Sequence, residues 1–262
     1  MAVMKNALAA LMVLAMAPGA SAMQAPKTVK AEYSILFLGL RLARSTMTST
    51  VNGDSFALDG TFASAGLASL FDSTKGTTTI RGKLGASAVE PASYLLSYSS
   101  GGKAKKTEIH FAKGDVVSTV NVPALREDKD PKYVPVPQGG LRAAVDPITA
   151  TIFRADGKAD VCNRTLKVYD GEIRVDLRLS PAGTKPFRAK GFEGEAVRCK
   201  AQFVPVSGYR KGRKALDFLR SKGRIEIAFA ELAMPGVWAP VSAAVATEIG
   251  TIFVTATSVT AN

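Results

Sequence analysis

The sequence has 262 residues, of which 47% are hydrophobic and 21% charged, the balance of a folded protein and not of a disordered one. Its formal net charge is +12, which in a cytosolic protein would suggest a nucleic-acid partner. The length allows a large core and suits one all-β sandwich or barrel.

The N-terminus has the three-part pattern of a secretory signal peptide. A positively charged start containing Lys5 precedes the apolar residues 7–17, and a break leads into the small-residue motif Ala20-Ser21-Ala22. Residues 7–17 fall well short of the ~20 apolar residues of a membrane-spanning helix. We therefore expect removal of residues 1–22 after Ala22, which leaves residues 23–262 as a single β-rich domain in the periplasm.

Alternation of apolar and polar residues is the dominant pattern of the chain and predicts strands. Residues 33–42 are apolar on both faces and predict a central strand. Residues 107–111 and 116–122 predict a hairpin joined through Lys113-Gly114-Asp115. In residues 172–179 the apolar positions alternate with a water-facing set that includes Arg174, and residues 224–229 alternate in the same manner.

Turn signals separate these segments at short intervals. Asn52-Gly53, Asp59-Gly60, Asp156-Gly157 and Asp170-Gly171 all suit tight reversals with positive φ. Many short strands with this punctuation favour an antiparallel meander or barrel over parallel βαβ units. The prolines within residues 122–140 indicate an irregular crossing loop.

Few segments predict helices, so the expected fold class is mainly β with one or a few short helices. Asp146 followed by Pro147 predicts an N-cap and a helix that runs to about residue 153, and residues 215–220 predict one or two turns. Residues 64–71 predict a short helix with an apolar face. Its side chains Leu67, Leu70 and Phe71 are candidates for lining a ligand site, with ordinary core packing as the alternative.

The cysteines and the chemistry-bearing residues indicate a protein without a catalytic centre. In an exported chain, the two cysteines Cys162 and Cys199 are expected to form a disulfide. The only histidine, His110, lies between Ile109 and Phe111 and should occupy the strand face opposite to theirs. We therefore expect no enzyme activity, no cofactor and no metal site.

Residues 210–224 contain the strongest local concentration of positive charge. Its first part holds Arg210, Lys211, Arg213 and Lys214. These side chains are candidates for contact with an anionic membrane or polysaccharide, and the alternative is a solvated basic loop. No aromatic residues interleave with them in the way an oligonucleotide platform requires, so nucleic acid is not an expected partner.

A series of short motifs extends along most of the chain. They are Tyr33 with Gly39, Asp146-Pro147-Ile148-Thr149-Ala150, Cys162-Asn163-Arg164-Thr165, Val168-Tyr169-Asp170-Gly171, Cys199, Val206-Ser207-Gly208-Tyr209 and Thr247-Glu248-Ile249-Gly250. In this order they resemble the DUF3108 family of exported bacterial proteins. The resemblance implies a strongly curved antiparallel sheet, an open barrel or β-spiral around a helix, similar to lipoprotein carriers and envelope-integrity proteins.

Three functions are compatible with these observations. The first is a non-enzymatic periplasmic protein that binds a lipid or another amphiphile in a concave apolar face. The second is an envelope-integrity scaffold that acts through surface contacts, with a filled core. The third, with the least support, is an enzyme acting on cell-wall or polysaccharide substrates, for which no acid–base pair can be named. The oligomeric state does not follow from the sequence.

Overall fold

The computed structural model describes residues 26–66, 69, 73–125 and 129–262. The predicted signal peptide of residues 1–22 lies outside these ranges. Within them the chain forms sixteen strands: β1 (Lys27–Phe37), β2 (Leu40–Asn52), β3 (Ser55–Ser64), β4 (Lys75–Leu84), β5 (Val89–Ser100), β6 (Lys103–Ala112), β7 (Asp115–Val122), β8 (Tyr133–Val134), β9 (Phe153–Arg154), β10 (Thr165–Tyr169), β11 (Arg174–Ala189), β12 (Phe192–Ser207), β13 (Tyr209–Arg210), β14 (Ile225–Glu231), β15 (Val237–Thr247) and β16 (Gly250–Ala261).

Helical structure is sparse in the described ranges. The α-helix α1 (Lys214–Ser221) covers the predicted residues 215–220, and two single 3₁₀ turns span Thr149–Thr151 and Lys158–Asp160. The chain is thus mainly β, as the sequence predicts.

Fourteen of the described strands form a single antiparallel sheet, and β8 pairs separately with β13. The order of the sheet brings the N-terminal and C-terminal strands together in its centre, because β1 pairs with both β16 and β2. Strand β9 pairs with β15 beside the main path, which is β10-β11-β12-β14-β15-β16-β1-β2-β3-β4-β5-β6-β7.

The sheet curves until its two ends, β7 and β10, come close together. At the end of β7, Asn121 Nδ2 donates a hydrogen bond of 2.9 Å to the carbonyl of Gly171, in the turn after β10. The preceding connection closes the remaining gap, since Arg142 forms a bridge with Asp115 of β7 and Val145 with Val168 of β10. The sheet therefore encloses an interior without direct pairing of its edges.

Cross-strand rows of side chains fill this interior. One row crosses six neighbouring strands and consists of Val29, Ser49, Leu58, Ile80, Tyr94 and Ile109. Ile80 and Ile109 are fully buried. Tyr169 of β10 packs into the same cluster, so residues from opposite ends of the sheet meet inside. Alternation therefore places one face of these strands inward, as the period of two predicts.

The predicted disulfide joins Cys162 to Cys199 across 37 positions of sequence. Both cysteines are buried in a cluster with Phe153 and Phe229, whose ring centroids lie 5.0 Å apart. The bridge links the loop before β10 to the middle of β12. It therefore fixes the segment between β9 and β10 to the part of the sheet that contains β12.

One strand prediction and two turn predictions are wrong. Asp156-Gly157 is not a reversal with positive φ, because Gly157 is extended with a φ of −166°. Residues 33–42 are not one strand, because Leu38 and Gly39 both have positive φ and reverse the chain between β1 and β2. Asp59-Gly60 is not a turn but the middle of β3. Gly60 is required there by a close approach, since a Cβ atom would lie 2.4 Å from the sulfur of Met47. The turns at Asn52-Gly53 and Asp170-Gly171 connect strands as predicted.

Two further local predictions need correction. Arg174 does not face water but is buried. Its guanidinium pairs at 2.7 Å with Asp176, two residues further on the same face of β11, and Val206 of β12 forms the bulge opposite Arg174 and Val175. The helix expected after Asp146 ends after the 3₁₀ turn at Thr149–Thr151. It stops there because Phe153 and Arg154 pair with β15 as strand β9.

Candidate functional site

The interior contains an apolar cavity of about 290 Å³. Its walls come from central strands of the sheet, and its cover is the segment around the 3₁₀ turn at Thr149–Thr151. The lining residues are Val29, Ala31, Tyr33, Ile35, Ser45, Met47, Ser49, Leu58, Pro147, Ile148, Thr151, Ile152, Ile227, Leu232, Ala239, Pro240, Ser242, Ala243 and Val254.

The cavity exists because small side chains alternate with large ones on the inward face. In β1 the inward residues are Val29, Ala31, Tyr33 and Ile35, and their partners in β2 include Ser45, Met47 and Ser49. Alanines and serines at these positions are too short to meet across the interior. The volume of about 290 Å³ lies just below the ~300–1,000 Å³ of typical ligand sites, which suits a single slender apolar group.

A few polar groups border this apolar space. The Tyr33 hydroxyl donates a hydrogen bond of 2.9 Å to the carbonyl of Pro240, and burial raises the pKa of Tyr33 to about 12. Ser49 Oγ donates to the carbonyl of Val29 at 3.4 Å. The buried Ser45 hydroxyl finds no hydrogen-bond partner among the described residues. Ser45 therefore offers an unused donor and acceptor inside the cavity.

Asp146 fixes the segment that covers the cavity. Its Oδ1 accepts hydrogen bonds from the backbone N–H groups of Ile148 at 3.1 Å and Thr149 at 2.9 Å. These bonds hold the 3₁₀ turn and direct Pro147 and Ile148 toward the interior. Burial raises the pKa of Asp146 above its ordinary value, because these hydrogen bonds only partly offset the loss of water around the carboxylate.

A second cavity of about 480 Å³ lies on the other side of Pro147. Tyr94, Leu96 and Leu125 contribute apolar surface to it, and Lys105 and Lys106 contribute positive charge. Burial is the main cause that raises the pKa of Tyr94. Pro147 lines both cavities and separates them.

The sequence-predicted ligand residues Leu67, Leu70 and Phe71 lie outside the described residues, so their role stays a prediction. The basic candidates Arg210, Lys211, Arg213 and Lys214 lie on β13, the following turn and the start of α1. All four are exposed. Arg210 lies 3.6 Å from a carboxylate oxygen of Asp130. The lining of the 290 Å³ cavity includes none of them.

His110 lies on an exposed strand face, opposite to Ile109 and Phe111, as expected. Its Nε2 is 2.9 Å from Glu108 Oε1. Lys106 is the main cause that lowers the pKa of Glu108, and His110 adds to it. In the part of the chain that the structure describes, no three His, Cys, Asp or Glu side chains are grouped in a way that could hold a metal ion.

The sequence analysis did not identify the cavity. Its lining comes from six strands whose adjacency is not local in sequence, above all the pairing of β1 with β16. The available signal was the row of small inward residues Ala31, Ser45 and Ser49, which alternation places on one face. Alternation alone does not show that no large side chain from the opposite wall fills the space above them.

These features define a class of protein: an antiparallel sheet curved around an apolar cavity and covered by one connecting segment. The chain belongs to the family described as "Protein of unknown function (DUF3108)", whose model matches residues 32–257. No curated protein matches the sequence. Among helices in the described ranges, none has the length and apolar character needed to cross a membrane.

One solved structure similar to this chain is the crystal structure of a beta-barrel-like protein of domain of unknown function DUF1849 from Brucella abortus. The two sequences are 9% identical, and the TM-score is 0.46. The match covers 89% of this chain and 96% of the other chain.

Proposed function

We propose that this protein is a non-enzymatic periplasmic component of the cell envelope that binds the alkyl chain of an amphiphile in the 290 Å³ cavity. The apolar lining of this partly open cavity is the observation that carries the proposal. Burying an alkyl chain there removes apolar surface from water, which is favourable by about 25 cal/mol per Å².

The polar groups at the cavity support a ligand with a polar end. Ser45 has an unused hydroxyl inside the apolar wall, and a buried hydroxyl without a partner costs free energy. A ligand hydroxyl or carboxyl that hydrogen-bonds to Ser45 would remove this cost. A pure hydrocarbon would leave it in place, so Ser45 favours amphiphiles over hydrocarbons.

The proposed compartment is supported by two independent observations. The pattern of residues 1–22 is that of a signal peptide, and the buried disulfide between Cys162 and Cys199 is compatible with an oxidising compartment. The net charge of +12 suits a protein that works near anionic envelope components.

Native mass spectrometry of protein purified gently from the periplasm, followed by organic extraction and lipid analysis, tests this function. We expect a stoichiometric, saturable adduct of defined mass. A clean ligand-free mass in several preparations, together with no saturable binding of single-chain amphiphiles, would contradict it and would favour a scaffold acting through surface contacts.

A matched pair of variants locates the binding site. Ala243 lines the cavity between Ile227 and Val254 of the neighbouring strands, whereas the next residue, Ala244, points to the opposite face. Ala243→Leu should reduce the affinity for a single-chain amphiphile about tenfold by filling the space, and Ala244→Leu should leave it unchanged. Equal affinities for the two variants would place the ligand elsewhere.

A further inference from the structure

Two neighbouring hairpin turns present large apolar side chains to solvent. Leu38 and Leu40 flank the β1–β2 turn and are 69% and 54% exposed, and Ile249 in the β15–β16 turn is 78% exposed. The turns are adjacent because β1 pairs with β16. With Phe253, which is 47% exposed, these residues form one apolar patch at the end of the sheet, here called the apolar tip.

The two turns touch each other. A Cβ atom built on Gly250 would lie 2.8 Å from the ring of Phe37 and 3.1 Å from Leu38 Cδ2. The side chains of the β1–β2 turn thus pack directly over the backbone of the β15–β16 turn. The apolar tip is therefore a continuous surface and not a set of scattered residues.

Turn geometry does not explain the leucine at position 38. Leu38 has a φ of 50°, and Gly39 follows with a φ of 79°. Consecutive positive φ values in a two-residue turn favour asparagine followed by glycine, because a branched side chain at the first position is strained. Leu38 gains little burial in return, because its side chain is 69% exposed despite its contact with Gly250.

Positive charge surrounds the apolar tip. Arg41 is the second residue of β2, and Arg224 lies beside the β15–β16 hairpin, where its carbonyl accepts a 2.9 Å hydrogen bond from the Ala246 N–H. Lys222, two residues before Arg224, is exposed as well. Glu248 is the acidic side chain within the β15–β16 turn itself, and the basic side chains Arg41, Lys222 and Arg224 lie on the segments beside the two turns.

The tip is continuous with the cavity. Ile35 of β1 and Val254 of β16 line the cavity, and two residues further along these strands Phe37 and Ile252 face the same side. Phe37 and Ile252 pair with each other just below the exposed turns. An apolar path therefore runs along one strand face from the cavity to the apolar tip.

From these observations we propose that the apolar tip docks on an anionic lipid bilayer. Projecting leucine and isoleucine side chains enter the boundary between headgroups and acyl chains, while Arg41, Lys222 and Arg224 meet the phosphates. The surrounding cations favour a bilayer over a protein partner, because a lipid surface presents this arrangement of apolar interior and negative rim. This docking goes beyond alkyl-chain binding, and it gives the cavity a direct approach to lipid.

Cosedimentation of the disulfide-bonded protein with vesicles tests the proposal. We expect binding to vesicles of phosphatidylethanolamine and phosphatidylglycerol, weaker binding to pure phosphatidylcholine, and a decrease of binding with salt. The variant Leu38→Asn/Ile249→Asn should lose at least about tenfold in affinity for anionic vesicles. Its thermal midpoint should not fall, because asparagine suits the positive φ of position 38 better than leucine does.

The matched control is Val117→Ser on the edge strand β7, where Val117 is 60% exposed but lies away from the tip. Vesicle binding of this control should equal that of the original protein. Absence of binding to anionic vesicles, or equal loss in the control and the tip variant, would overturn the proposal. Binding to immobilised envelope protein without vesicle binding would do the same, since it would assign the tip to a protein partner.

The same variants separate docking from alkyl-chain binding. Ala243→Leu fills the cavity and should leave vesicle binding unchanged. The tip variant should keep its affinity for a short-chain amphiphile below the micellar concentration. Loss of vesicle binding on filling the cavity would contradict docking through the tip, whereas failure of amphiphile binding alone would leave docking intact.

Discussion

The sulfur of Met47 lies where a side chain at Gly60 would have to be placed. A Cβ atom on Gly60 would be 2.4 Å from Met47 Sδ and 2.6 Å from Thr78 Cγ2. The floor of the apolar cavity therefore depends on the absence of a side chain in the middle of β3. Met47, a flexible residue that adapts to irregular space, lies over this position.

The variant Gly60→Ala should displace Met47 into the cavity. We expect the free energy of unfolding to fall by about 1–3 kcal/mol through overpacking, together with a lower affinity for single-chain amphiphiles. Urea unfolding followed by the fluorescence of Trp238, the only tryptophan, measures the first effect. Gly157→Ala is the control, because Gly157 has extended φ and no neighbouring atom within 4 Å of an added Cβ. Equal stability of the two variants would show that Met47 and Thr78 do not require a glycine at position 60.

Removal of the disulfide should destabilise the protein at the end of the sheet that holds β10 and β12. Replacing both cysteines by Cys162→Ala/Cys199→Ala should lower the free energy of unfolding by about 3–4 kcal/mol, the value for closing a loop of this length. Denatured, unreduced original protein should not react with a thiol reagent. Labelling of both cysteines under these conditions would show that the bridge does not form.

The buried carboxyl of Asp146 should make stability depend on pH. Its pKa is raised by burial, so the folded state binds the proton more tightly than the unfolded state. The associated stability is fully present below the ordinary Asp pKa of 3.8 and is lost as pH rises through the raised value. Each unit of pKa difference is equivalent to about 1.4 kcal/mol.

The variant Asp146→Asn tests this dependence, because its amide oxygen can still accept the hydrogen bonds from Ile148 and Thr149. We expect it to be more stable than the original protein at pH 7.5 and equally stable or less stable at pH 3.5. Relative to Asp146→Asn, Asp146→Ala should lose about 0.5–2 kcal/mol at both pH values, because it removes the cap as well as the carboxyl. If the difference in free energy of unfolding between Asp146→Asn and the original protein does not change with pH, the pKa of Asp146 is not raised in the folded state.

Arg174 and Asp176 form a largely buried ion pair, with side chains 5% and 21% exposed. Arg174→Met should lower the free energy of unfolding by about 3–5 kcal/mol, because it leaves the Asp176 carboxylate without its partner. Adding Asp176→Leu should recover most of the loss. The exposed pair Arg188–Glu193 is the control, and Arg188→Met should cost below about 1 kcal/mol. A double variant as unstable as the single one would contradict this account.

Strand existence could be predicted from sequence because alternation is a local signal. The hairpin around Lys113-Gly114-Asp115 and the strands that include Ile109 and Ile227 follow from it directly. The disulfide could be predicted because only two cysteines are present. The one or two helical turns predicted at residues 215–220 are present in the helix Lys214–Ser221.

The remainder could not be predicted because it depends on residues that meet only in the fold. Leucine is not a turn signal, so the reversal at Leu38 was missed although Gly39 follows it. Glycine occurs both in tight turns and where another residue packs closely against the backbone, so Asp59-Gly60 predicts a turn although Gly60 lies in the middle of β3. Arg174 is buried on a strand face that also carries Asp176, and the β12 residues opposite it, Ser207 and Pro205, are distant in sequence. The cavity requires the β1–β16 pairing that joins both ends of the chain.

The segment that carries Arg142 and Val145 is the weakest hydrogen-bonded connection in the wall around the interior. Parting Val145 from β10 breaks two backbone hydrogen bonds, one to the carbonyl of Lys167 and one from the N–H of Tyr169. Each contributes about 0.5–1.5 kcal/mol, whereas separating two full strands breaks a whole ladder. Separating this short segment from β10 is therefore the least costly way to enlarge the interior for a bulkier ligand. The hydrogen-bonded strands of the sheet can keep their positions.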